Sequence, residues 1–402
     1  MKMKKIITLL ISVFALCLML ASCEKDVGEY LEDYDYKEPP VYGVMYDFYI
    51  ICEEGTDPMA KSTVNEKINQ MFGDKYNTKL NMVFLSEENY EKQLKIDLGL
   101  ENPTAEMPKT TALLPENYTY GGKIVLINDS SMLEYLGDKL VDLKPYLAMT
   151  DFGTLNTQIN GPLLAAADVD GKKLAIPNNR VYGEYEYICI NRDIAENALN
   201  ISAQSEILSI KTDADVEELL VKYAEYLGKT RAELTATEID RLVRREVGQY
   251  DLKAQINEGV ADGYGKDADN DWMCNVVTYP TASLDEAYAS AYGIIPSANL
   301  IVKNDEGVDV VAVDYAYRAM QVVYSFNHDV EMRNLLCYGV PNTNYRLNDK
   351  NFATPLTEQG SNYKVKLDYC GDVFKAYYSA IWTEEMAESG LNQVKEAVLF
   401  ED

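Results

Sequence analysis

The chain has 402 residues and a mass of 45.3 kDa, and its 65 Asp and Glu residues against 37 Lys and Arg give a formal charge of −28. This length exceeds what one hydrophobic core usually organises, which predicts two domains or one domain inserted into another. The charge repels phosphate backbones and disfavours a nucleic-acid partner, and the single histidine, His328, excludes mechanisms that need two imidazoles.

The N-terminus has the layout of a secretory signal. Three lysines precede an uncharged apolar run over residues 6–20, and small residues lead into Cys23. The run is shorter than the roughly 20 residues that a membrane-spanning helix needs. The sequence Leu20-Ala21-Ser22-Cys23 resembles the bacterial lipobox, in which the cysteine is lipidated and becomes the first mature residue. We therefore predict a signal peptide over 1–22 and a lipid on Cys23 that anchors the protein to the outer face of the cell membrane.

Residues 23–40 form the next segment, and they are predicted to be an acidic tether. From residue 24 onward the segment holds seven acids, two lysines and two terminal prolines, without apolar periodicity. Such a composition cannot build a core, and its like charges extend the chain.

An alternation of strands and helices begins at Val41. Strands are predicted over 41–52, 80–85 and 123–127, and helices over 64–72 and 90–98, on the basis of apolar spacing. The resulting βαβαβ unit indicates an α/β fold. In an open parallel sheet, ligands bind outside the carboxyl ends of the strands. Glu53, Asp57, Asn128 and Asp129 follow two of these ends and are candidate ligand-binding residues; helix capping is the alternative role for each.

The second half of the chain starts with a crossover at residues 174–179. The alternation over 184–190 then predicts a strand with Tyr185, Tyr187 and Cys189 on one face. Capping boxes at Thr212 and Thr235 begin two helices, the second predicted over 235–256. Sheet-like sequence follows over 288–295. One long or broken helix is predicted over 313–336, and mixed structure from residue 363.

Taken together, several short motifs in this order resemble the extracellular solute-binding proteins of ABC importers, with the maltose-binding group as the nearest broad class. They are the lipobox, the N-terminal βαβ unit, the run 141–147, Asp170-Gly171-Lys172 before Ala175-Ile176-Pro177, Tyr292-Gly293-Ile294-Ile295-Pro296, the helix around Ala319-Met320-Gln321, and 334–340. The resemblance covers most of residues 41–402.

The resemblance implies an α/β fold of two lobes, the type II periplasmic-binding-protein fold, with hinge strands and a ligand held in the cleft. Mapped here, lobe one is 41–176 plus 292–337, and lobe two is 182–290 plus 340–402. A lipid-anchored receptor that delivers a small polar solute to ABC permease subunits follows as the leading hypothesis. This hypothesis assigns the protein no catalytic role and no cofactor.

A saccharide is the favoured ligand, because 31 tyrosines against nine phenylalanines supply rings that also carry hydroxyls. The presence of only two tryptophans keeps peptides and other polar solutes open. The candidates around the crossover and elsewhere, each of which could equally be a packing residue, are Asn178, Asn179, Tyr182, Tyr185, Trp272, Tyr279 and Trp382.

Other chemistry has weaker support in the sequence. The acids of 267–271 match a calcium loop at its first positions, but Trp272 and Thr278 occupy its two diagnostic positions, so no metal site is predicted. His328 is expected at a helix end or on the surface. The five cysteines of the mature body allow either two disulfides or five free thiols. A secreted glycan hydrolase with a carboxylate pair, and an adhesion lipoprotein without a small ligand, are the competing hypotheses.

Overall fold

The protein is described by a computed structural model. The described residues are 43–111, 113–201, 204–249, 252–258, 261, 264, 271–298, 301–303, 309–311, 313–375, 377–379 and 384–399. Cys23, Trp382, the predicted signal, the tether and most of the 267–271 loop lie outside them. Across these ranges, no helix combines the length and the apolar character needed to cross a bilayer.

A five-stranded sheet organises the first lobe. Its strand β1 (Gly43–Ile51) is buried along its whole length and lies between β2 (Thr78–Leu85) and β3 (Tyr118–Ile127), parallel to both. Strand β11 (Ala291–Pro296) lies antiparallel between β3 and β6 (Ala175–Pro177), which gives the order β2-β1-β3-β11-β6. The predicted βαβαβ unit is therefore confirmed, and β6 runs in the same direction as β3.

Helix α1 (Pro58–Tyr76) connects β1 to β2 and shows why the local prediction succeeds. Asp57 caps it by accepting a hydrogen bond from the Met59 amide, and Pro58 suits the first helical position. Its buried residues Val64, Ile68 and Phe72 recur at helical spacing. Helix α2 (Glu87–Asp97) connects β2 to β3 and covers the other face of the sheet.

The rest of lobe one is built from further helices of varied length, small strand pairs and 3₁₀ turns. The further helices are α3 (Leu133–Leu136), α4 (Lys144–Leu147), α5 (Leu155–Gln158), α6 (Gly161–Ala166), α12 (Leu284–Tyr288), α13 (Val313–His328), α14 (Val330–Tyr338) and α15 (Glu384–Glu396). The strand pairs are β4 (Asp168–Val169) with β5 (Lys172–Lys173), β10 (Thr281–Ala282) with β16 (Val398–Leu399), β12 (Ile301–Lys303) with β13 (Asp309–Val311), and β14 (Tyr345–Leu347) with β15 (Ala353–Pro355). The 3₁₀ turns in this lobe are Ser130–Met132, Gly137–Lys139, Leu367–Tyr369 and Val373–Lys375.

The sequence predicts either one long helix or a broken helix over 313–336, and the structure has the broken helix. It divides at Asp329, whose side chain accepts hydrogen bonds from the first amides of α14. His328 ends α13 and is exposed, as expected.

Lobe two is centred on an antiparallel sheet of three strands. Strand β7 (Tyr185–Asn191) lies between β8 (Val243–Gly248) and β9 (Trp272–Thr278). The predicted face of Tyr185, Tyr187 and Cys189 is confirmed, and it packs in one small core while Ile188 and Ile190 pack in another. The helices of this lobe are α7 (Arg192–Leu199), α8 (Gln204–Ile207), α9 (Asp213–Tyr226), α10 (Ala236–Leu242) and α11 (Leu252–Glu258), with a 3₁₀ turn at Arg231–Glu233.

The prediction of a single helix over 235–256 is wrong beyond its first two turns. The capping box at Thr235 and Glu238 is present, but α10 ends at Leu242 and the next residue begins β8. The two β-branched residues Val243 and Val247 fit a strand as well as a helix, and pairing with β7 decides between them. That pairing joins residues that are far apart in sequence, so the apolar spacing around Val243 does not reveal it.

The two lobes have separate cores within the described residues. The buried side chains of the two small cores lie between Tyr185 and Cys274, and none of them belongs to the large core around the five-stranded sheet. The two-lobed α/β fold predicted from the sequence is thus confirmed. Residues 340–402 are predicted in lobe two, whereas several of their buried side chains, among them Tyr345, Tyr363 and Tyr369, pack in the large core.

Candidate functional site

The chain leaves and re-enters lobe one at a single edge of the five-stranded sheet. Pro177 at the end of β6 lies opposite Ala291, which in turn lies opposite Ile127 at the end of β3. We call this edge, where β1, β2, β3 and β6 end, the carboxyl edge. Lobe two is therefore attached at the carboxyl edge, where open α/β sheets bind their ligands.

The two connections between the lobes, which we call the crossings, are residues 178–184 and 279–283. They touch at Gly183 and Pro280, where a Cβ built on the glycine would lie 3.0 Å from the proline Cβ. Gly183 has a φ of +66°, a conformation that residues with a side chain rarely adopt. The chain therefore passes between the lobes through two adjacent segments that allow close backbone approach.

Helix α15 holds the first crossing, and β16, which follows it, holds the second. The Gln393 side chain is fully buried, and its Nε2 donates to the carbonyls of Tyr182 and Gly183 at 2.9 Å each. The Val398 amide donates to the Pro280 carbonyl, also at 2.9 Å. On the lobe-two side, the Tyr185 hydroxyl donates to Glu396 at 2.8 Å. Residues 393–398 thus connect the two crossings and the start of β7.

Three predicted ligand residues on the first crossing are buried and internally bonded. Asn178 donates to Ser290 Oγ at 2.9 Å and to the Asp368 carbonyl at 3.2 Å. Asn179 donates to the Gln158 carbonyl, and the Tyr182 hydroxyl donates to Asn160. These three side chains hold the crossing against lobe one. Sequence reasoning predicted ligand contact for them, and that role stays a prediction.

The aromatic candidates of lobe two differ in exposure. Trp272 is buried between the ring of Tyr264 and the guanidinium of Arg244, which lies 4.5 Å from the indole centre. Tyr185 is 6% exposed, and its ring lies 6.1 Å from that of Tyr279. Tyr279 is 48% exposed at the start of the second crossing. Of the three, Tyr279 has the ring surface that a ligand can reach.

The predicted residues at the ends of β1 and β3 are grouped at the carboxyl edge. Asp57 caps α1 and also accepts from the Gly360 amide at 2.9 Å, which lowers its pKa. Asp129 accepts from Ser131, which lowers the pKa of Asp129 too. Helix capping is therefore the role that the structure shows for both carboxylates. Glu53 is exposed, and Asn128 is half-buried and hydrogen-bonded to Tyr369.

A cavity of about 350 Å³ opens at the ends of β1 and β2. Four carboxylates line it, those of Glu53, Glu54, Glu87 and Glu88, against the single ammonium of Lys366. Lys366 binds Glu87 at 2.8 Å, and this hydrogen bond raises the pKa of the lysine. The cavity has a strongly acidic wall that suits hydroxyl or cationic ligand groups better than anionic ones.

The segment 364–372 completes the carboxyl edge and was missed by the sequence reasoning. Its backbone joins the end of β1, since the Lys364 carbonyl accepts from the Glu53 amide at 3.0 Å. Asp368 is partly exposed to solvent. The protein packed around its carboxyl group removes some of the water that would stabilise the charge, and this desolvation raises the pKa of Asp368. The position of this segment depends on contacts that include one between residues 308 positions apart in sequence, for which no local signal exists.

Glu87 and Glu88 were missed for a different reason. They follow β2 just as Glu53 follows β1, so the same rule about carboxyl ends of parallel strands identifies them. The rule was applied to β1 and β3 alone. The signal for these two residues was therefore present in the sequence.

Comparison with known proteins gives structural likeness only. No protein-family model and no curated protein matches the chain. Among solved structures, it is similar to the N-glycan transport solute-binding protein of Streptococcus pneumoniae, at 13% identity and a TM-score of 0.49, covering 88% of this chain and 83% of that one.

Two further solved structures align over most of both chains. An extracellular solute-binding protein from Bifidobacterium longum subsp. infantis has 11% identity and a TM-score of 0.39, with 88% of this chain and 82% of that chain covered. A family 1 extracellular solute-binding protein from Alicyclobacillus acidocaldarius has 9% identity and a TM-score of 0.37, with 90% and 88% covered. All three are solute-binding proteins. Because every TM-score is below 0.5, what this chain binds has to follow from its own residues.

Proposed function

We propose that this protein is a lipid-anchored extracytoplasmic receptor that binds a small polar solute between its lobes and delivers it to an ABC permease. The observation that carries the proposal is the attachment of a separately packed second lobe at the carboxyl edge through two touching crossings. Two lobes joined in this way can close on a ligand by hinge motion. The N-terminal signal and Cys23 support the location and the anchor.

A saccharide is the ligand class that the carboxyl edge favours. Carboxylates such as Glu53 and Glu54 accept hydrogen bonds from sugar hydroxyls, and the exposed ring of Tyr279 offers an apolar face for a sugar ring. The acidic cavity repels uronic and sialic acids. A neutral or amino sugar is therefore the expected cargo, with the permease as the protein partner.

A glycan hydrolase is the second candidate, because four carboxylates line one cavity and the pKa of Asp368, two residues after the lining residue Lys366, is raised. Glycoside hydrolysis needs a carboxyl of raised pKa beside an ionised one, so this candidate requires Asp368 to pair with a carboxylate of the cavity. The two candidates differ in the fate of the ligand. A receptor returns it unchanged, whereas a hydrolase releases shorter sugars.

Equilibrium dialysis against oligosaccharides, followed by chromatography of the recovered sugar, separates the candidates. The receptor predicts one bound molecule per chain, recovered intact. Stoichiometric binding should weaken roughly tenfold in Tyr279→Ala, since loss of a stacked ring removes on the order of 1 kcal/mol. Tyr226→Ala is the matched control, because Tyr226 is 60% exposed on α9 in the same lobe. Sugar shortened during incubation would instead support the hydrolase, and equal affinities of both variants would contradict the site.

A further inference from the structure

The sequence left the pairing of the cysteines open, and the structure brings two of them together in lobe two. Cys189 on β7 and Cys274 on β9 are directly opposite each other in the antiparallel register, and their Sγ atoms are 2.6 Å apart. Non-bonded heavy atoms pack at about 3.5–4.0 Å, so this separation is closer to a covalent bond than to a packing contact.

The strand geometry accepts a bond without moving the backbone. Directly opposed residues of an antiparallel pair have Cα atoms about 4.5 or 5.5 Å apart, depending on their hydrogen-bonding class. Disulfides span Cα separations of about 4.4–6.8 Å, which includes both values. The register of Cys189 with Cys274 continues on either side, through Ile188 with Asn275 and Ile190 with Met273, so the pair is held in place by the ladder around it.

The surroundings of the pair keep it away from solvent. Both sulfurs are buried, at 0% and 1% exposure, in the small core that contains Tyr187, Tyr264 and Trp272. A thiol enclosed in this way resists attack once the lobe has folded, and the neighbouring Cys189 thiol together with burial raises the pKa of Cys274. The bond therefore has to form while the chain is folding, before the core closes.

We propose that Cys189 and Cys274 form a disulfide that joins the first and last strands of lobe two. The two thiols lose two protons and two electrons as the S–S bond forms, and a thiol–disulfide oxidoreductase in its disulfide form accepts both and becomes a dithiol. The inference rests on export of the chain to an oxidising compartment and is independent of what the cleft binds. The bond closes the loop that contains the core of lobe two, and restricts the unfolded ensemble of that lobe.

Peptide mapping of the full chain, exported in a host with an oxidising periplasm, tests the proposal. The protein is denatured without reductant in the presence of N-ethylmaleimide, digested and analysed by mass spectrometry. We expect a peptide pair linked through Cys189 and Cys274, two hydrogens lighter than its reduced form, and an alkylated Cys52. Cys52 is buried in lobe one and serves as the internal control. Alkylation of both Cys189 and Cys274 would overturn the proposal.

A thermal measurement adds a second, independent readout. A reductant present throughout unfolding should lower the melting temperature of the wild type by several degrees, since the crosslink no longer restricts the unfolded chain. The double variant C189A/C274A should melt at a lower temperature that the reductant does not change. Cys52→Ala should keep the full response to reductant. If the double variant does not fold, the peptide map alone decides, and an unchanged wild-type melting temperature in reductant would count against the bond.

Discussion

Gly183 is the residue at which the two crossings come closest, and its conformation can be tested against a second glycine. Gly183 and Gly228 have φ values of +66° and +69°, but a Cβ at Gly228 would meet nothing within 4 Å, whereas at Gly183 it would meet Pro280. Gly228→Ala therefore measures the left-handed strain alone. The difference between the two alanine variants measures the contact between the crossings.

We expect Gly228→Ala to lower the free energy of unfolding by about 1 kcal/mol, the usual cost of a side chain at positive φ. Gly183→Ala should lower it further, because the Cβ contacts at 3.0 Å and 3.3 Å involve proline and backbone atoms that cannot turn away. Chemical denaturation of both variants and the wild type gives the comparison. Equal losses would show that the crossings are not in close contact.

Asp368 gives a prediction about pH. Its pKa is raised by desolvation, so the folded protein binds this proton more tightly than the unfolded chain, whose aspartates titrate near 3.9. The stability contribution of Asp368 is therefore highest below pH 3.9 and is lost as the pH rises through the raised folded-state pKa. Asp368→Asn removes the cost of ionisation and should raise the melting temperature at pH 7 but not near pH 3.

Asp372→Asn is the contrasting variant for this experiment. Burial raises the pKa of Asp372 as well, but its carboxylate accepts hydrogen bonds from the Phe374 amide at 2.9 Å and from Asn179 at 3.3 Å. Losing the charge weakens these bonds, so the gain at pH 7 should be smaller or absent. Melting curves from pH 3 to pH 7 check both variants. A melting temperature of Asp368→Asn below that of the wild type at pH 7 would contradict the assignment.

At the scale of elements, helix α15 contacts both the first crossing and lobe two, so weakening its contacts should destabilise the junction between the lobes. Gln393→Leu removes the donor to the carbonyls of Tyr182 and Gly183 and leaves both acceptors buried without it. An unsatisfied buried polar group costs about 1–3 kcal/mol, so the free energy of unfolding should fall by at least that amount. The measurement is chemical denaturation. Amide exchange in the crossing should also become faster as it loosens.

Asn392→Leu is the matched control for α15. Asn392 lies next to Gln393 on the same helix but is exposed, so the same side chain is introduced without breaking a buried hydrogen bond. Its effect on the free energy of unfolding should stay within about 0.5 kcal/mol. Equal effects of the two leucine variants would show that the contact between α15 and the crossing does not contribute to stability.

Elements whose partners are near in sequence were predicted well, and those that depend on distant partners were not. Helix α1 carries its own cap and apolar face, and β7 its own alternation. Strand β8 looked like the continuation of a helix because only pairing with β7 distinguishes the two. The same holds for the site: Glu53 and Glu87 follow from strand ends, whereas Asp368 reaches the carboxyl edge through folding alone.

At the scale of the whole molecule, the acidic charge, the predicted export signal and the two separate cores belong to one account. The formal charge of −28 keeps the protein soluble and disfavours anionic ligands at an edge already lined by carboxylates. The proposed hinge motion of lobe two about the crossings requires such separate cores. The proposed solute capture requires two separately packed lobes, whereas a purely adhesive lipoprotein does not.

The most direct test is the melting temperature of the full chain against a panel of mono- and oligosaccharides, amino acids and peptides. A ligand that binds only the folded state, at about 1,000 times its dissociation constant, adds about 4 kcal/mol of stability. The account predicts a rise of several degrees with a neutral or amino saccharide, and none with uronic or sialic acids. No rise with any member of the panel, or a rise with the acidic sugars alone, would contradict it.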